Sequence, residues 1–315
     1  MDDKKLPSKE VLMKTLRNTI STAWNVGTKV NEPSIDKWLS NFTGEALHSD
    51  CLSKEDAEEF EKQLALFLLC NFVYYNDIEI KYLTKMMFEK YIHCIFGGEN
   101  KNNVNDDDIN ELLSKTQFAP LGTISESSSY LLYHFRQEND LSKENFKKNE
   151  RIANIVFIDD FSISGDQAFK YINKYIEDNK EWVIYKRIYI LLMITTNKAF
   201  DELRKVAGIT VLPCIIMDDR SEVFSETSVV FKGYHDNIKE TAKRMCKFYG
   251  DKLIEKTEKM TPFGYDGGGY MFGTYYNIPD NTLPIFWSNK NNWNYLFKRY
   301  DKKYSGGIKL EGRYV

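Results

Sequence analysis

One stretch of the chain, residues 155–167, constrains its fold more than any other. It reads Ile-Val-Phe-Ile-Asp-Asp-Phe-Ser-Ile-Ser-Gly-Asp-Gln and leads into an amphipathic segment. Four apolar residues suit a short buried strand, and the Ser and Gly residues mark a turn. A strand, a turn and a helix in this order are typical of an open α/β sheet. We therefore expect Asp159 and Asp160 at the carboxyl end of a parallel strand, where such sheets bind ligands.

The turn that follows the two acids has the features of a phosphate site. Backbone N–H groups at the start of a helix attract anions. Carboxylates accept hydrogen bonds from sugar hydroxyls. Asp159 and Asp160 beside such a turn therefore suit a sugar phosphate. The alternative is a strand end with two solvated carboxylates and a Ser/Gly turn of the kind that precedes many helices.

The segments around this stretch alternate between strand and helix patterns. Strands are predicted over residues 116–121, 155–158, 184–195 and 209–217. Helices are predicted between them, over residues 127–138, 165–178 and 198–206. This alternation implies right-handed crossovers and a parallel sheet flanked by helices.

The first hundred residues have a different pattern. Apolar residues recur there at three- and four-residue spacing, which predicts helices over residues 8–26, 56–75 and 79–96. Residues 97–108 are polar and aperiodic, which predicts a linker. We expect an N-terminal helical domain over residues 1–108. An α/β domain over residues 109–315 would end in a tail rich in glycine and aromatic residues.

Composition limits the classes of function. A net charge of −3 gives no overall basic field, so there is no direct nucleic-acid signal. No apolar run reaches the length of a membrane span, and the N-terminus lacks the apolar core of a signal peptide. Five cysteines without CxxC spacing favour reduced thiols. We therefore expect a cytoplasmic protein with no membrane segment.

Residues 155–167 resemble the signature of type I phosphoribosyltransferases that binds phosphoribosyl pyrophosphate (PRPP). In that signature four hydrophobic residues precede two acids and a loop containing Thr-Gly. Asp159 and Asp160 match the acids, and Ser164-Gly165 matches the Thr-Gly. The resemblance implies that the acids are catalytic, hold the ribose hydroxyls and contact Mg²⁺ indirectly. It also implies a 5′-phosphate site made by the Ser164 hydroxyl and the backbone of Ser162, Ile163, Ser164, Gly165, Asp166 and Gln167.

A second segment looks like the pyrophosphate loop of the same family, on position more than on residue identity. Residues 123–129 read Thr-Ile-Ser-Glu-Ser-Ser-Ser and join a predicted strand to a predicted helix. Hydroxyls and helix-start amides favour an anion, and the candidates are Ser125, Ser127, Ser128 and Ser129. The alternative is helix capping by Ser127 alone.

The tail carries a second resemblance. Residues 277–287 read Asn-Ile-Pro-Asp-Asn-Thr-Leu-Pro-Ile-Phe-Trp, similar to the C-terminal signature of a divergent bacterial group of phosphoribosyltransferase-like proteins. That group often occurs in defence gene neighbourhoods, which implies a role in antiviral defence. Tyr265 and Trp287 are candidates for stacking on a base. A packing role for both is equally open.

Two departures from the family bear on catalysis. Ile163 stands where purine-using relatives have an Asp that acts as a base, and an alkyl group transfers no proton. Residues 140–154 are also shorter than the family's flexible loop.

The resemblance implies a phosphoribosyltransferase-type glycosyltransferase that binds PRPP or a nucleotide with Mg²⁺ and acts at ribose C1. The alternatives are an inactive sensor of PRPP or nucleotides, and a structural subunit of a defence assembly whose N-terminal helical domain binds a protein partner.

Overall fold

The computed structural model describes residues 4–25, 27–49, 52–97, 104–122, 126–147, 149, 151–255 and 257–299. Its α-helices, in chain order, are α1 (Lys9–Thr22), α2 (Glu32–Leu39), α3 (Lys54–Cys70), α4 (Asp77–Phe96), α5 (Asp106–Ser114), α6 (Glu126–Glu138), α7 (Asp166–Asp178), α8 (Lys180–Val183), α9 (Asn197–Arg204) and α10 (Asp236–Leu253). Its strands are β1 (Val73–Tyr75), β2 (Thr116–Pro120), β3 (Asn154–Ser162), β4 (Arg187–Thr196), β5 (Ile209–Met217), β6 (Met260–Thr261), β7 (Gly264–Tyr265) and β8 (Phe272–Thr274).

The described residues form two compact units. Residues Glu79–Met217 make one, called here the sheet unit. The described residues up to Ile78 and those from Asp218 onward make the other, called here the aromatic unit. No helix among the described residues is long and apolar enough to cross a membrane.

The sheet unit is built on four parallel strands in the order β2-β3-β4-β5. β3 and β4 are central and almost entirely buried, as expected of strands covered on both faces. On one face, Phe157 and Leu192 pack with Ile172 of α7 and Leu203 of α9. The parallel sheet flanked by helices is therefore confirmed.

Helices α4 and α6 cover the opposite face of this sheet. Phe118 of β2 lies 5.2 Å from Phe135 of α6 and 6.0 Å from Tyr91 of α4, between ring centroids. Tyr91 in turn lies 5.2 Å from Tyr189 of β4. α4, which the periodicity grouped with the N-terminal helices, thus forms part of the sheet unit.

The aromatic unit has one core that joins both ends of the chain. Trp38 of α2 stacks on Phe286, with ring centroids 5.6 Å apart, and its indole N–H donates to the Ile285 carbonyl at 2.7 Å. Phe72 stacks on Phe297 at 4.4 Å. β1 pairs in parallel with β8. Helices α1 to α3 therefore share their core with the tail.

This division differs from the predicted domains 1–108 and 109–315. The periodicity of a helix shows that one face is apolar, but it does not show which partner covers that face. Within the predicted linker over residues 97–108, α5 already begins at Asp106, behind a capping box formed by Asn105 and Asp108.

A fully buried carboxylate, Glu61 of α3, organises the aromatic unit. It accepts backbone N–H groups of Gly44 at 2.9 Å, Ala46 at 2.8 Å and Leu47 at 3.0 Å. It also accepts the Tyr249 hydroxyl of α10 at 2.5 Å. Burial raises the pKa of that hydroxyl, which keeps it protonated as a donor. Four donors offset the cost of burying the charge.

The first prediction concerns this carboxylate. Glu61→Ala leaves three backbone N–H groups, two of them buried, and a buried hydroxyl without their acceptor, so we expect the free energy of unfolding to fall by about 3 kcal/mol. Tyr249→Phe removes one donor to Glu61 and the acceptor of the Thr43 N–H, and costs about 1 to 2 kcal/mol. Urea titration followed by tryptophan fluorescence measures both, because four of the five tryptophans lie in the aromatic unit. If Glu61→Ala lowered the free energy of unfolding less than Tyr249→Phe does, the organising role of Glu61 would be contradicted.

The second prediction concerns the units. A fragment of residues 1–108 lacks the tail residues of its core, so we expect no cooperative thermal transition by circular dichroism. Co-expression with residues 218–315 should restore a cooperative transition. Cooperative unfolding of the fragment by itself would favour the predicted N-terminal domain instead.

Candidate functional site

The two acids lie inside β3, close to its carboxyl end. The strand continues to Ser162, four residues beyond its predicted end at Ile158. Its register with β4 is unbroken, with Asp159 opposite Leu192 and Ser162 opposite Thr195. Because side chains alternate along a strand, the two carboxylates start from opposite faces of the sheet. A ligand that touches both must therefore lie over the sheet edge.

Each acid has a distinct environment. Asp159 shares the strand face of Phe157, is partly buried, and accepts the backbone N–H of Asp160 at 3.0 Å. Asp160 is only 5% exposed and accepts the N–H of Phe161 at 3.0 Å. A carboxylate this deeply buried needs several hydrogen bonds or a cation.

Ser162 lies two residues after Asp160, on the same face of β3. It is 5% exposed, and its hydroxyl makes no hydrogen bond to any residue that the structure describes. An unsatisfied buried hydroxyl costs about 1 to 3 kcal/mol. Groups of this kind are retained where a ligand or water completes them. The carboxyl end of β3 thus carries a buried hydroxyl that the described residues leave unsatisfied, on the same strand face as Asp160.

The predicted phosphate loop, residues 162–167, leads directly into α7. Gly165 is the N-cap of this helix, in the left-handed region with φ 80°, and has no side chain to cap the first turn. The Asp166 N–H donates to Ser164 Oγ at 3.4 Å. The left-handed conformation favours glycine, and a Cβ at Gly165 would make a tight contact of 3.0 Å with Ala199 Cα. The geometry matches an anion site at a helix N-terminus.

Ile163 is buried, with 7% of its surface exposed. Its side chain belongs to the interior of the sheet unit, which explains an apolar residue at this position. The loop therefore carries no general base at the place where purine-using phosphoribosyltransferases have one.

The strand that precedes the predicted pyrophosphate segment ends beside the acids. The Leu121 N–H donates to the Ile158 carbonyl at 2.9 Å, so the chain leaves β2 next to Asp159. α6 begins at Glu126, which places Ser127 within the first turn of the helix. Ser125 lies outside the described residues, as do the side chains of Ser127 and Ser128. Ser129 is exposed in the first turn.

Trp287 of the aromatic unit has partners within the tail. Its indole N–H donates to the Thr282 carbonyl at 2.8 Å, and the Arg299 guanidinium lies 4.8 Å from its ring. Arg299 also pairs with Asp280 at 2.9 Å. These contacts show how the tail motif stabilises its own turn.

Tyr265, also in the aromatic unit, takes part in the same turn. The Asn281 side chain donates to its carbonyl at 2.8 Å, and the Lys259 ammonium lies 5.8 Å from its ring. The acids and the phosphate loop belong to the sheet unit. Stacking of a base on Tyr265 or Trp287 stays a prediction.

The donor set at the sheet edge consists of oxygen atoms, which suits Mg²⁺ rather than a softer metal. Within the described part of the chain, no three His, Cys, Asp or Glu side chains form a metal cluster. Mg²⁺ commonly binds one or two carboxylates together with water and substrate phosphates, a mode that Asp159 and Asp160 fit.

The partly buried thiols of Cys70 in α3 and Cys214 in β5 are poor nucleophiles. Burial raises the pKa of Cys70 to about 12 and that of Cys214 to about 11. Both therefore stay protonated at neutral pH, and only a thiolate attacks efficiently.

Comparison with known proteins agrees with this geometry. No curated protein matches the chain significantly. The family model PRTase-CE matches residues 35–299, a span that includes the acids, the phosphate loop and the tail motif. The chain therefore belongs to the PRTase-CE family and is a phosphoribosyltransferase-like protein.

Proposed function

We propose that this protein binds PRPP or a nucleotide at the carboxyl end of β3, together with Mg²⁺, and acts at ribose C1. The observation that carries the proposal is the order Asp159-Asp160, then a loop with a left-handed Gly165, then the N-terminus of α7. Sugar hydroxyls and a phosphate on one ligand match these two neighbouring groups of partners.

The residues would divide the ligand between them. Asp159 and Asp160 would accept the ribose hydroxyls from the two sides of the strand end. Ser162, whose buried hydroxyl lacks a described partner, would donate to the ligand. Backbone amides of residues 162–167 and the Ser164 hydroxyl would hold the 5′-phosphate. Mg²⁺, when bound with the carboxylates and the pyrophosphate, would neutralise the charge of the leaving group.

Cleavage at C1 makes the sugar ring positive in the transition state. Carboxylates fixed beside the ribose stabilise that charge without reorganising, which is the main contribution the described residues can make. Because Ile163 is buried and apolar, the acceptor must arrive as a nucleophile or lose its proton to another group.

A second function, sensing of PRPP or nucleotides without transfer, is favoured by the same Ile163.

For the whole chain, the tail motif supports a role in antiviral defence. We expect any protein partner recruited through the N-terminal helices to contact the aromatic unit, because α1 to α3 share their core with the tail.

The third prediction tests binding. In calorimetry with PRPP and Mg²⁺, Asp159→Asn and Asp160→Asn should each weaken binding by about tenfold or more, since a neutral amide is a weaker acceptor. Asp178→Asn, at the exposed far end of α7, is the matched control and should bind like wild type. Chelation of Mg²⁺ should also weaken binding. Absence of wild-type binding, or equal affinity in all variants, would refute the proposal.

The fourth prediction separates transfer from sensing. A transferase releases pyrophosphate from PRPP when the right acceptor is present, and Asp159→Asn should abolish that release. A coupled pyrophosphate assay with purine, pyrimidine and water acceptors measures it. Tight PRPP binding with no release across this panel would favour the sensor.

A further inference from the structure

We propose that Thr195 and Thr196, at the end of β4, are positioning residues that orient the backbone of the phosphate loop toward its ligand. The inference rests on the proposed function for the identity of the ligand. It concerns side chains on a neighbouring strand, outside the loop and the acid pair.

The two hydroxyls hold consecutive carbonyl groups of the loop. Thr195 Oγ1 donates to the Ser162 carbonyl at 2.7 Å. Thr196 Oγ1 donates to the Ile163 carbonyl at 2.6 Å. The two threonine residues are 0% and 4% exposed, so water does not compete easily for these bonds.

These bonds determine where the loop amides point. In a planar trans peptide, the carbonyl of one residue and the N–H of the next point in opposite directions. With the carbonyls of Ser162 and Ile163 bound to β4, the N–H groups of Ile163 and Ser164 face away from that strand. The threonines also turn two carbonyl oxygens, which would repel a phosphate, away from the amide side of these peptides.

Thr196 links the loop to the next helix as well. Its Oγ1 accepts the Ala199 N–H at 3.1 Å and so caps the start of α9. Ala199 is also the residue that a side chain at Gly165 would meet. The loop thus rests against the start of α9 at two points, Ile163 and Gly165, and a shift of one element moves the other.

The test compares two pairs of variants. Thr195→Val and Thr196→Val keep the shape of the side chain but lose the hydroxyl. Thr195→Ser and Thr196→Ser keep the hydroxyl. Thr116→Val is the matched control. Thr116 is 2% exposed, and its hydroxyl donates to the Leu112 carbonyl at 2.8 Å, at the opposite end of the strands. The readouts are amide hydrogen exchange over residues 162–167 without ligand, PRPP affinity by calorimetry with Mg²⁺, and thermal stability.

In both valine variants we expect the loop amides to exchange hydrogen roughly fivefold faster than in wild type. We also expect both variants to bind PRPP about tenfold more weakly than wild type. The serine variants should match wild type both in loop amide exchange and in PRPP affinity. Thr116→Val should lower thermal stability while leaving loop amide exchange and PRPP affinity unchanged.

Unchanged loop exchange in both valine variants would overturn the inference, whatever their affinity. Equal loss of affinity in Thr116→Val would also overturn it, because a general loss of stability would then explain the effect. If wild type binds no PRPP, the proposed function fails, and the loop exchange alone decides the positioning role.

Discussion

The structure of the candidate site depends on the parallel pairing of β3 with β4 in one unbroken register. This register places Ser162 opposite Thr195 and so brings a loop carbonyl within reach of a threonine hydroxyl. It also carries Asp159 and Asp160 to the sheet edge. A slip of one residue would move every side chain of β3 to the other face of the sheet, so residues that now contact α7 and α9 would face α4 and α6 instead. The hydrophobic core therefore determines the geometry of the polar site.

The alternation of the two acids across β3 gives them different environments. Asp160 shares its face with Ser162 and is almost fully buried, whereas Asp159 is partly exposed on the face of α7. A buried carboxylate binds its partners in a low dielectric, where each hydrogen bond is stronger. We therefore expect Asp160 to contribute more to affinity than Asp159. The strand geometry does not favour two equivalent acids that share the ribose equally.

Much of the sheet unit could be predicted from the sequence. The bounds of β5 match the predicted 209–217, and β2 and α7 differ from prediction by one residue each. These elements have strong local signals, such as the Gly165 turn and the apolar run of β5. The end of β3 was missed because Asp159 and Asp160 are polar, and composition cannot show that pairing with β4 continues through them.

The partners of the helices could not be predicted in the same way. α4 carries an apolar face like those of α1 and α3, yet Tyr91 packs on the sheet while Phe72, just after α3, stacks on Phe297. Such contacts join residues far apart in sequence, and periodicity contains no information about them. Thr195 and Thr196 were missed for a related reason, since hydroxyls at the end of an apolar strand look like ordinary strand residues until the register is known.

We propose that the end of β3 and the start of α7 hold a sugar phosphate. A crystal structure grown with PRPP and Mg²⁺ tests it most directly. We predict the 5′-phosphate within about 3.2 Å of loop amides between Ile163 and Gln167, with a ribose hydroxyl at a similar distance from the Asp160 carboxylate. Phosphate density elsewhere on the chain, with both carboxylates and the loop free of ligand, would contradict the account.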